Sequence, residues 1–175
     1  QYQNDDNRDY SYYKRVFVSA LRAVDFITSL PQYNGKALGV TGSSQGGALS
    51  MVTAALDKRV TFYAAIHPAM CDHRAHLQKV AGGWPHYFYY FPTPTPQRIQ
   101  TADYYDMVNF ARRITVPGWF SWGYNDDVCP PTSTYAAYNS ITAPKELHPY
   151  LETGHYWYQE QYEQWSQWLW AQMGL

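Results

Sequence analysis

The sequence has no excess of either charge and no long apolar run. Thirteen Lys and Arg residues stand against 14 Asp and Glu residues, which gives a formal net charge of -1. Because nucleic acids and anionic membranes attract clustered positive charge, this balance argues against both as partners. No stretch approaches the roughly 18 consecutive apolar residues of a transmembrane helix, so no membrane span is expected.

Cysteine is also scarce, since Cys71 and Cys129 are the only two in 175 residues. They could form one bridge at most, which excludes a disulfide framework. We favour two free thiols over a Cys71–Cys129 bridge. The first residues, Gln1–Asp6, have neither an initiator methionine nor the basic and apolar regions of a signal peptide. The chain is therefore expected to be a mature or cut piece of a longer protein.

Aromatic residues are abundant, at 18% of the chain with 18 Tyr and 7 Trp. Tyr and Trp combine a flat apolar face with a polar group, which suits sugar binding and protein interfaces as well as core packing. Together with the low lysine content, this composition favours an exported protein over a cytoplasmic one.

Helical and strand-like segments alternate along the chain, which predicts an α/β fold with a mostly parallel sheet flanked by helices. We expect one domain over residues 1–175. Short apolar runs predict four strands, over 36–41, 61–66, 116–122 and 146–151. Apolar spacing predicts helices over 10–30, 48–56, 71–80, 132–141 and 157–173. Three prolines mark the rest of the 68–101 segment as irregular surface.

The motif Gly42-x-Ser44-x-Gly46 lies between a predicted strand and a predicted helix. A sharp turn at this place lifts a serine hydroxyl out of the sheet, and the flanking glycines remove Cβ atoms that would clash. The following helix offers free N–H groups to a developing oxyanion. The pattern predicts that Ser44 is a nucleophile, whereas a glycine-rich loop without chemistry is the competing interpretation.

A nucleophilic serine needs a histidine base and an acid that orients it. In α/β-hydrolases the order along the chain is Ser, then Asp or Glu, then His. Asp126 and Asp127 follow the third predicted strand, and His155 follows the fourth. Both positions fall at the carboxyl ends of strands, where parallel sheets place ligand chemistry.

The other five histidines compete less well for the role of base. His67 follows a strand but precedes every candidate acid, and His148 lies inside a predicted strand. His73 and His76 have the spacing of a metal-binding pair, but no third ligand is evident, so we interpret them as surface residues. His86 receives no role.

Several segments resemble the acetyl xylan esterase/cephalosporin C deacetylase family, which is carbohydrate esterase family 7 within the α/β-hydrolase fold. They are Gly42–Gly47, Cys71–Arg74, Tyr105–Ala111, Gly123–Pro131, Tyr135–Asn139 and Pro144–Glu146. The similarity runs over nearly the whole chain in the expected order. The segment in which an acid precedes Cys-Pro-Pro, here Asp126–Pro131, is far more specific for this family than the GxSxG motif.

The resemblance implies a nucleophile at Ser44, a triad acid at Asp126 and a base at His155. The family's acid stands three residues before the Cys of Cys-Pro-Pro, which selects Asp126 over Asp127. The backbone N–H of Gln45 is implied as one oxyanion donor. By the same resemblance, no metal or organic cofactor is expected. Cys129 is expected to be a structural thiol beside the triad.

The chain departs from the family pattern in two kinds of place. Family members often have glycine or a small polar residue after the triad histidine, whereas this chain has Tyr156–Tyr158. Residues 67–70 also differ from those that the family usually has before the cysteine at position 71. The larger departure is at the front, because the resemblance covers only the C-terminal part of such an enzyme. The first strands and the loop that supplies the second oxyanion N–H are missing from this chain.

An apolar strand with an open edge invites pairing with another chain. We therefore expect a second polypeptide, the N-terminal half of the same precursor, to complete the fold beside the strand at 36–41. By analogy with the family, the assembly could also be a homo-oligomer.

These features together predict a serine esterase that removes acetyl groups from acetyl xylan or an acetylated oligosaccharide through an acetyl-enzyme. The bulky residues Trp84, Tyr124, Tyr156 and Trp157 are the candidate substrate-binding residues. A prolyl-oligopeptidase-like serine peptidase is the alternative with the same fold, although the acid–Cys–Pro–Pro segment argues against it. A non-catalytic subunit of an assembly is the third interpretation.

Overall fold

Four parallel strands form one sheet in the computed structural model, which describes residues 2–175. The strands are β1 (Gly39–Ser43), β2 (Phe62–Ile66), β3 (Gly118–Gly123) and β4 (Lys145–Tyr150), and they lie side by side in that order. All three pairings are parallel. The prediction of an α/β fold with a parallel sheet is confirmed, and so are its four strands within a few residues.

Helices connect the strands and flank the sheet. They are α1 (Tyr12–Ser29), α2 (Gln45–Leu56), α3 (Tyr87–Tyr90), α4 (Pro96–Tyr104), α5 (Met107–Ala111), α6 (Pro131–Asn139) and α7 (Gln159–Met173). Within residues 2–175, none of them is long and apolar enough to cross a bilayer.

The two faces of the sheet carry two apolar cores. The larger core lies with α1, α2, α5 and α6, and it includes Met51, Tyr63 and Trp122. The smaller core lies under α7 and is built from Phe62, Ala64, Ile66, Trp119 and Trp168. Because both faces are covered, every residue of β2 and β3 is buried, as expected for central parallel strands.

The segment between β2 and β3 differs most from the prediction. The helix expected over 71–80 is wrong, because only a short 3-10 turn forms at Ala75–Gln78. The carboxylate of Asp106 accepts hydrogen bonds from the backbone N–H groups of Asp72 and His73, at 3.0 and 2.7 Å. Because the Asp106 carboxylate binds these two N–H groups from a distant part of the chain, it stabilises an irregular loop at this place.

The expectation of an irregular surface up to residue 101 is also wrong, because α3 and α4 lie there. Helix α4 begins at Pro96, and the hydroxyl of Thr95 accepts a hydrogen bond from the backbone N–H of Arg98 at 3.3 Å. A proline in the first helical position needs no N–H partner, so the residue that indicated a break is the start of a helix.

The parallel arrangement brings the carboxyl ends of all four strands to one edge of the sheet. In the strand register, Ser43 pairs with Ile66, and Ile66 pairs with Ser121. The loops that follow β1 to β4 therefore start close together, and they carry the residues of the candidate site.

Candidate active site

Ser44 lies in the sharp turn between β1 and α2, with φ of 56° and ψ of -118°. A non-glycine residue with a positive φ is strained and needs support from its surroundings. Three backbone hydrogen bonds give it that support. The N–H of Ser44 donates to Ile66 O at 2.9 Å, and its C=O accepts from Ala48 and Ala69 at 3.1 and 3.0 Å. The turn therefore has the geometry of a nucleophile elbow.

The glycine before Ser44 is required by close packing of the turn. A Cβ atom added at Gly42 would lie 2.4 Å from the backbone carbon of Gly46. At Gly46 itself, an added Cβ would meet no atom within 4 Å. The two glycines of the motif therefore have different structural importance, which the sequence pattern alone does not reveal.

Asp126 and His155 form a hydrogen-bonded pair at the ends of β3 and β4. His155 Nδ1 lies 2.8 Å from Asp126 Oδ2, and since a carboxylate only accepts, Nδ1 is the donor. The second oxygen of Asp126 accepts from the N–H groups of Val128 and Cys129 at 2.9 and 2.8 Å. Asp126 is buried, whereas Asp127 is exposed. The structure thus places Asp126, and not its neighbour, on the imidazole of His155.

Within residues 2–175, no hydrogen bond joins the Ser44 hydroxyl to His155. Cys129, whose N–H donates to Asp126, lies beside Ser44. Burial raises the pKa of the Cys129 thiol to about 12, and a hydrogen bond from the Ser44 side chain opposes that rise only in part. The thiol stays protonated at neutral pH, which suits a structural residue better than a nucleophile. Catalytic hydrogen bonds are often long before substrate binds.

His67 belongs to the same cluster, although it precedes every candidate acid along the chain. Its ring centroid lies 4.2 Å from that of His155, and its Nε2 lies 2.5 Å from Ser43 Oγ. Burial, and then the neighbouring His155, lower the pKa of His67 to about 4, so the ring is neutral at pH 7. His67 directly follows β2, which lies next to β1, and this strand-end position was the signal that could have found it.

The backbone N–H of Gln45 fits the predicted oxyanion role. Gln45 is the first residue of α2, where an N–H has no acceptor within the helix. The positive end of the helix dipole lies at the same point. The position therefore suits a donor to a developing oxyanion.

The four candidate substrate-binding residues take different positions. Trp157 Nε1 donates to Ser43 Oγ at 3.4 Å, beside the residue that precedes Ser44. The backbone of Trp84 connects the segments that precede Cys71 and Cys129. Its C=O accepts from the N–H of Met70 at 2.7 Å, and its N–H donates to the C=O of Val128 at 2.9 Å. Tyr124 and Tyr156 are exposed. Trp157 is thus held beside Ser44 by its hydrogen bond to the preceding residue.

Both cysteines are buried and free, as favoured from the sequence. The interpretation of His73 as a surface residue is wrong, because its side chain is buried against Tyr87, at 5.0 Å between ring centroids. His76 is half-buried and pairs with His86, with 3.4 Å between Nε2 and Nδ1.

Proteins of known family resemble this chain over most of its length. A family model described as acetyl xylan esterase (AXE1) matches residues 3–172. The chain is 55% identical to the acetyl esterase Axe7A of Xylanibacter ruminicola over 141 residues, which are 81% of this chain and 32% of that protein.

Two solved structures are similar over nearly the whole chain. An acetyl xylan esterase from Paenibacillus sp. R4 matches with a TM-score of 0.86 and 29% identity, covering 95% of this chain and 55% of that one. Acetyl xylan esterase 1 from Thermoanaerobacterium sp. JW/SL YS485 matches with a TM-score of 0.84 and 28% identity, covering 96% and 56%. The chain thus spans from about a third to just over half of the length of these relatives, and it belongs to the acetyl xylan esterase (AXE1) family.

Proposed function

We propose that the protein carrying this chain is a serine esterase that removes acetyl groups from carbohydrate. The observation that carries the proposal is the buried Asp126 carboxylate on His155 Nδ1, at 2.8 Å, at the sheet edge that also holds the strained Ser44 elbow. Membership of the acetyl xylan esterase family gives the ester and the sugar as substrate class.

The proposed reaction has two steps through an acetyl-enzyme. Ser44 Oγ attacks the acetyl carbonyl while His155 Nε2, the nitrogen not held by Asp126, takes the hydroxyl proton. The Gln45 N–H stabilises the tetrahedral oxyanion. His155 then returns the proton to the departing sugar oxygen.

In the second step, water attacks the acetyl group on Ser44. His155 takes a proton from this water, and acetate leaves with the serine oxygen restored to a hydroxyl. Asp126 holds the imidazole in one tautomer and stabilises its charged form throughout both steps. The reaction needs no further group from the protein beyond a second oxyanion donor.

We expect that donor to come from outside this chain. Strand β1 is at the edge of the sheet, pairs only with β2 among the strands of residues 2–175, and leaves Thr41 exposed. Further strands of the family's fold, from the N-terminal half of the precursor, would pair with this edge. Because one oxyanion donor is typically worth about 10²–10³ in rate, its presence should decide the level of activity.

Acetate release from acetylated xylo-oligosaccharide tests the proposal in the complete natural protein. Hydrolysis of p-nitrophenyl acetate, compared with a dipeptidyl anilide, separates the esterase from the peptidase alternative. Ser44→Ala should abolish release, whereas Ser19→Ala on the exposed face of α1 should not change it. Cleavage of the anilide without release of acetate would contradict the esterase, and intact binding of sugar without hydrolysis would favour a non-catalytic subunit.

A further inference from the structure

His67, Asp126 and His155 form a cluster of metal-ligating side chains at the candidate site. Each offers one ligand atom, and these three atoms lie within 4.8 Å of one another. The proposed reaction uses Asp126 and His155 but gives no task to His67. Two imidazoles and one carboxylate are the donor set of many zinc sites with an open fourth position.

His67 has one buried ring nitrogen that no neighbouring group binds, which leaves it available to a ligand. The residue is 2% exposed, and within residues 2–175 its Nδ1 has no hydrogen-bond partner. Its Nε2 is held by Ser43 Oγ at 2.5 Å. When Nε2 donates to that hydroxyl, Nδ1 carries a buried lone pair, and a histidine that is anchored through its other nitrogen is a typical metal ligand.

The charge state of the cluster also suits a cation. Asp126 is buried and supplies the negative charge. The His155 side chain is 24% exposed, which gives an ion a route from solvent.

We infer that a transition-metal cation of the Zn²⁺ class binds His67, Asp126 and His155 and reversibly inhibits the enzyme. Ligand atoms of a tetrahedral zinc ion are bound at about 2.0–2.2 Å from the metal, so the three side chains must close in by on the order of 1 Å. Nitrogen-rich sites favour Zn²⁺, Cu²⁺ and Ni²⁺ over Mg²⁺ and Ca²⁺, which prefer oxygen ligands.

The ion would inhibit the enzyme because it binds atoms that the proposed reaction uses, so the expected inhibition rests on the proposed function. A metal ion that binds Asp126 and His155 Nδ1 displaces the Nδ1 proton and removes the hydrogen bond that orients the imidazole. The neutral ring then carries its proton on Nε2, so this nitrogen cannot accept a proton from Ser44. Ser44 then loses its proton acceptor, so the turnover rate falls while the fold is kept.

Zinc titration of the complete natural protein tests the inference. Isothermal calorimetry should give one Zn²⁺ ion for each copy of the chain, and p-nitrophenyl acetate hydrolysis should fall at least about tenfold as that ion binds. EDTA should restore the activity, and Mg²⁺ or Ca²⁺ at the same concentration should not inhibit. Calorimetry reads the site even if the protein hydrolyses no ester, so failure of the esterase and failure of the metal site are distinguishable.

Two substitutions, His67→Phe and His67→Gln, assign the ligand. Each should raise the zinc concentration for half-inhibition at least about tenfold, relative to its own metal-free activity. The matched control His76→Gln, which removes the separate His76–His86 pair, should leave that concentration unchanged.

X-ray absorption of the zinc-loaded His76→Gln protein tests the same site without altering it, and two imidazole ligands are expected. Absence of zinc binding, zinc bound without imidazole, or equal inhibition of the His67 variants and the parent would each overturn the inference.

Discussion

The imidazole rings of His67 and His155 lie 4.2 Å apart at an angle of 44°, and of the two only His155 is bonded to Asp126. Two histidines thus meet at one site from the ends of β2 and β4. One is partly exposed and bonded to a carboxylate, and the other is buried and bonded to Ser43. The difference in surroundings separates their chemistry, because only His155 combines a carboxylate partner with access to solvent.

Buried neutral histidines should make the protein less stable in mild acid. The pKa of His67 falls from 6.5 in the unfolded chain to about 4 in the folded one, and burial lowers the pKa of His73 in the same direction. Between these values the unfolded chain binds more protons, so the free energy of unfolding should fall as the pH drops from about 6.5 to 4. Full stability is present above pH 6.5, and His67 adds no further loss below pH 4.

For His67 alone the loss is on the order of 3 kcal/mol. Urea unfolding measured at several pH values gives the slope, and His67→Phe should flatten it in this window. An unchanged slope in the variant would show that His67 is not held neutral by its surroundings.

Replacing Asp126 with asparagine should damage catalysis more than stability. The amide oxygen can still accept from Val128 and Cys129, but the amide group no longer fixes the tautomer of His155. A fall in kcat of about 10⁴-fold is expected for p-nitrophenyl acetate. Asp127→Asn, at the exposed neighbouring position, is the matched control and should retain kcat. Equal losses in both variants would contradict the assignment of the acid.

The elbow should tolerate alanine at one of its two glycines only. Gly42→Ala places a Cβ atom 2.4 Å from backbone atoms that cannot move without opening the turn. We expect a loss of at least about 1–3 kcal/mol in the free energy of unfolding. Gly46→Ala, which meets no atom within 4 Å, should lose little. Thermal denaturation of the two variants side by side measures the difference, and similar melting temperatures would refute it.

The site should prefer short acyl chains. Trp157 is anchored beside the elbow, and we expect its ring to narrow the space for an acyl chain. Burying one extra methylene is worth about 0.8 kcal/mol, whereas forced repacking costs about 1–3 kcal/mol, so rates should fall beyond about three carbons. A p-nitrophenyl ester series from acetate to octanoate on the complete protein measures this preference. Rates that rise with chain length would indicate a lipase-like carboxylesterase.

The sheet and the elbow could be predicted because their signals are local. Buried parallel strands are short apolar runs, as in β2 and β3, and the elbow has its own glycine spacing. The preference for Asp126 over Asp127 as the partner of His155 rests on the specific Cys-Pro-Pro segment that follows it. In the structure that segment turns back so that the Cys129 N–H binds the carboxylate.

The remaining features depend on contacts between distant segments. The loop at 71–80 is held by Asp106, more than 30 residues away, and no local pattern announces that. Pro96 is both a breaker and a helix start, and context decides which. Chain order does not indicate His67, because it precedes every candidate acid, but the strand register places the end of β2 between the strand ends that carry Ser44 and Asp126.

The most direct test of Ser44 as the nucleophile is to identify the residue that carries the acetyl group during the reaction. The complete protein, mixed with p-nitrophenyl acetate and quenched in acid within the burst, is digested and analysed by mass spectrometry. We expect one acetyl group on the peptide that contains Ser44, and no acetyl group on the corresponding peptide of Ser44→Ala. Acetyl found on Cys129 or on a tyrosine instead, with ester hydrolysis intact in Ser44→Ala, would contradict it.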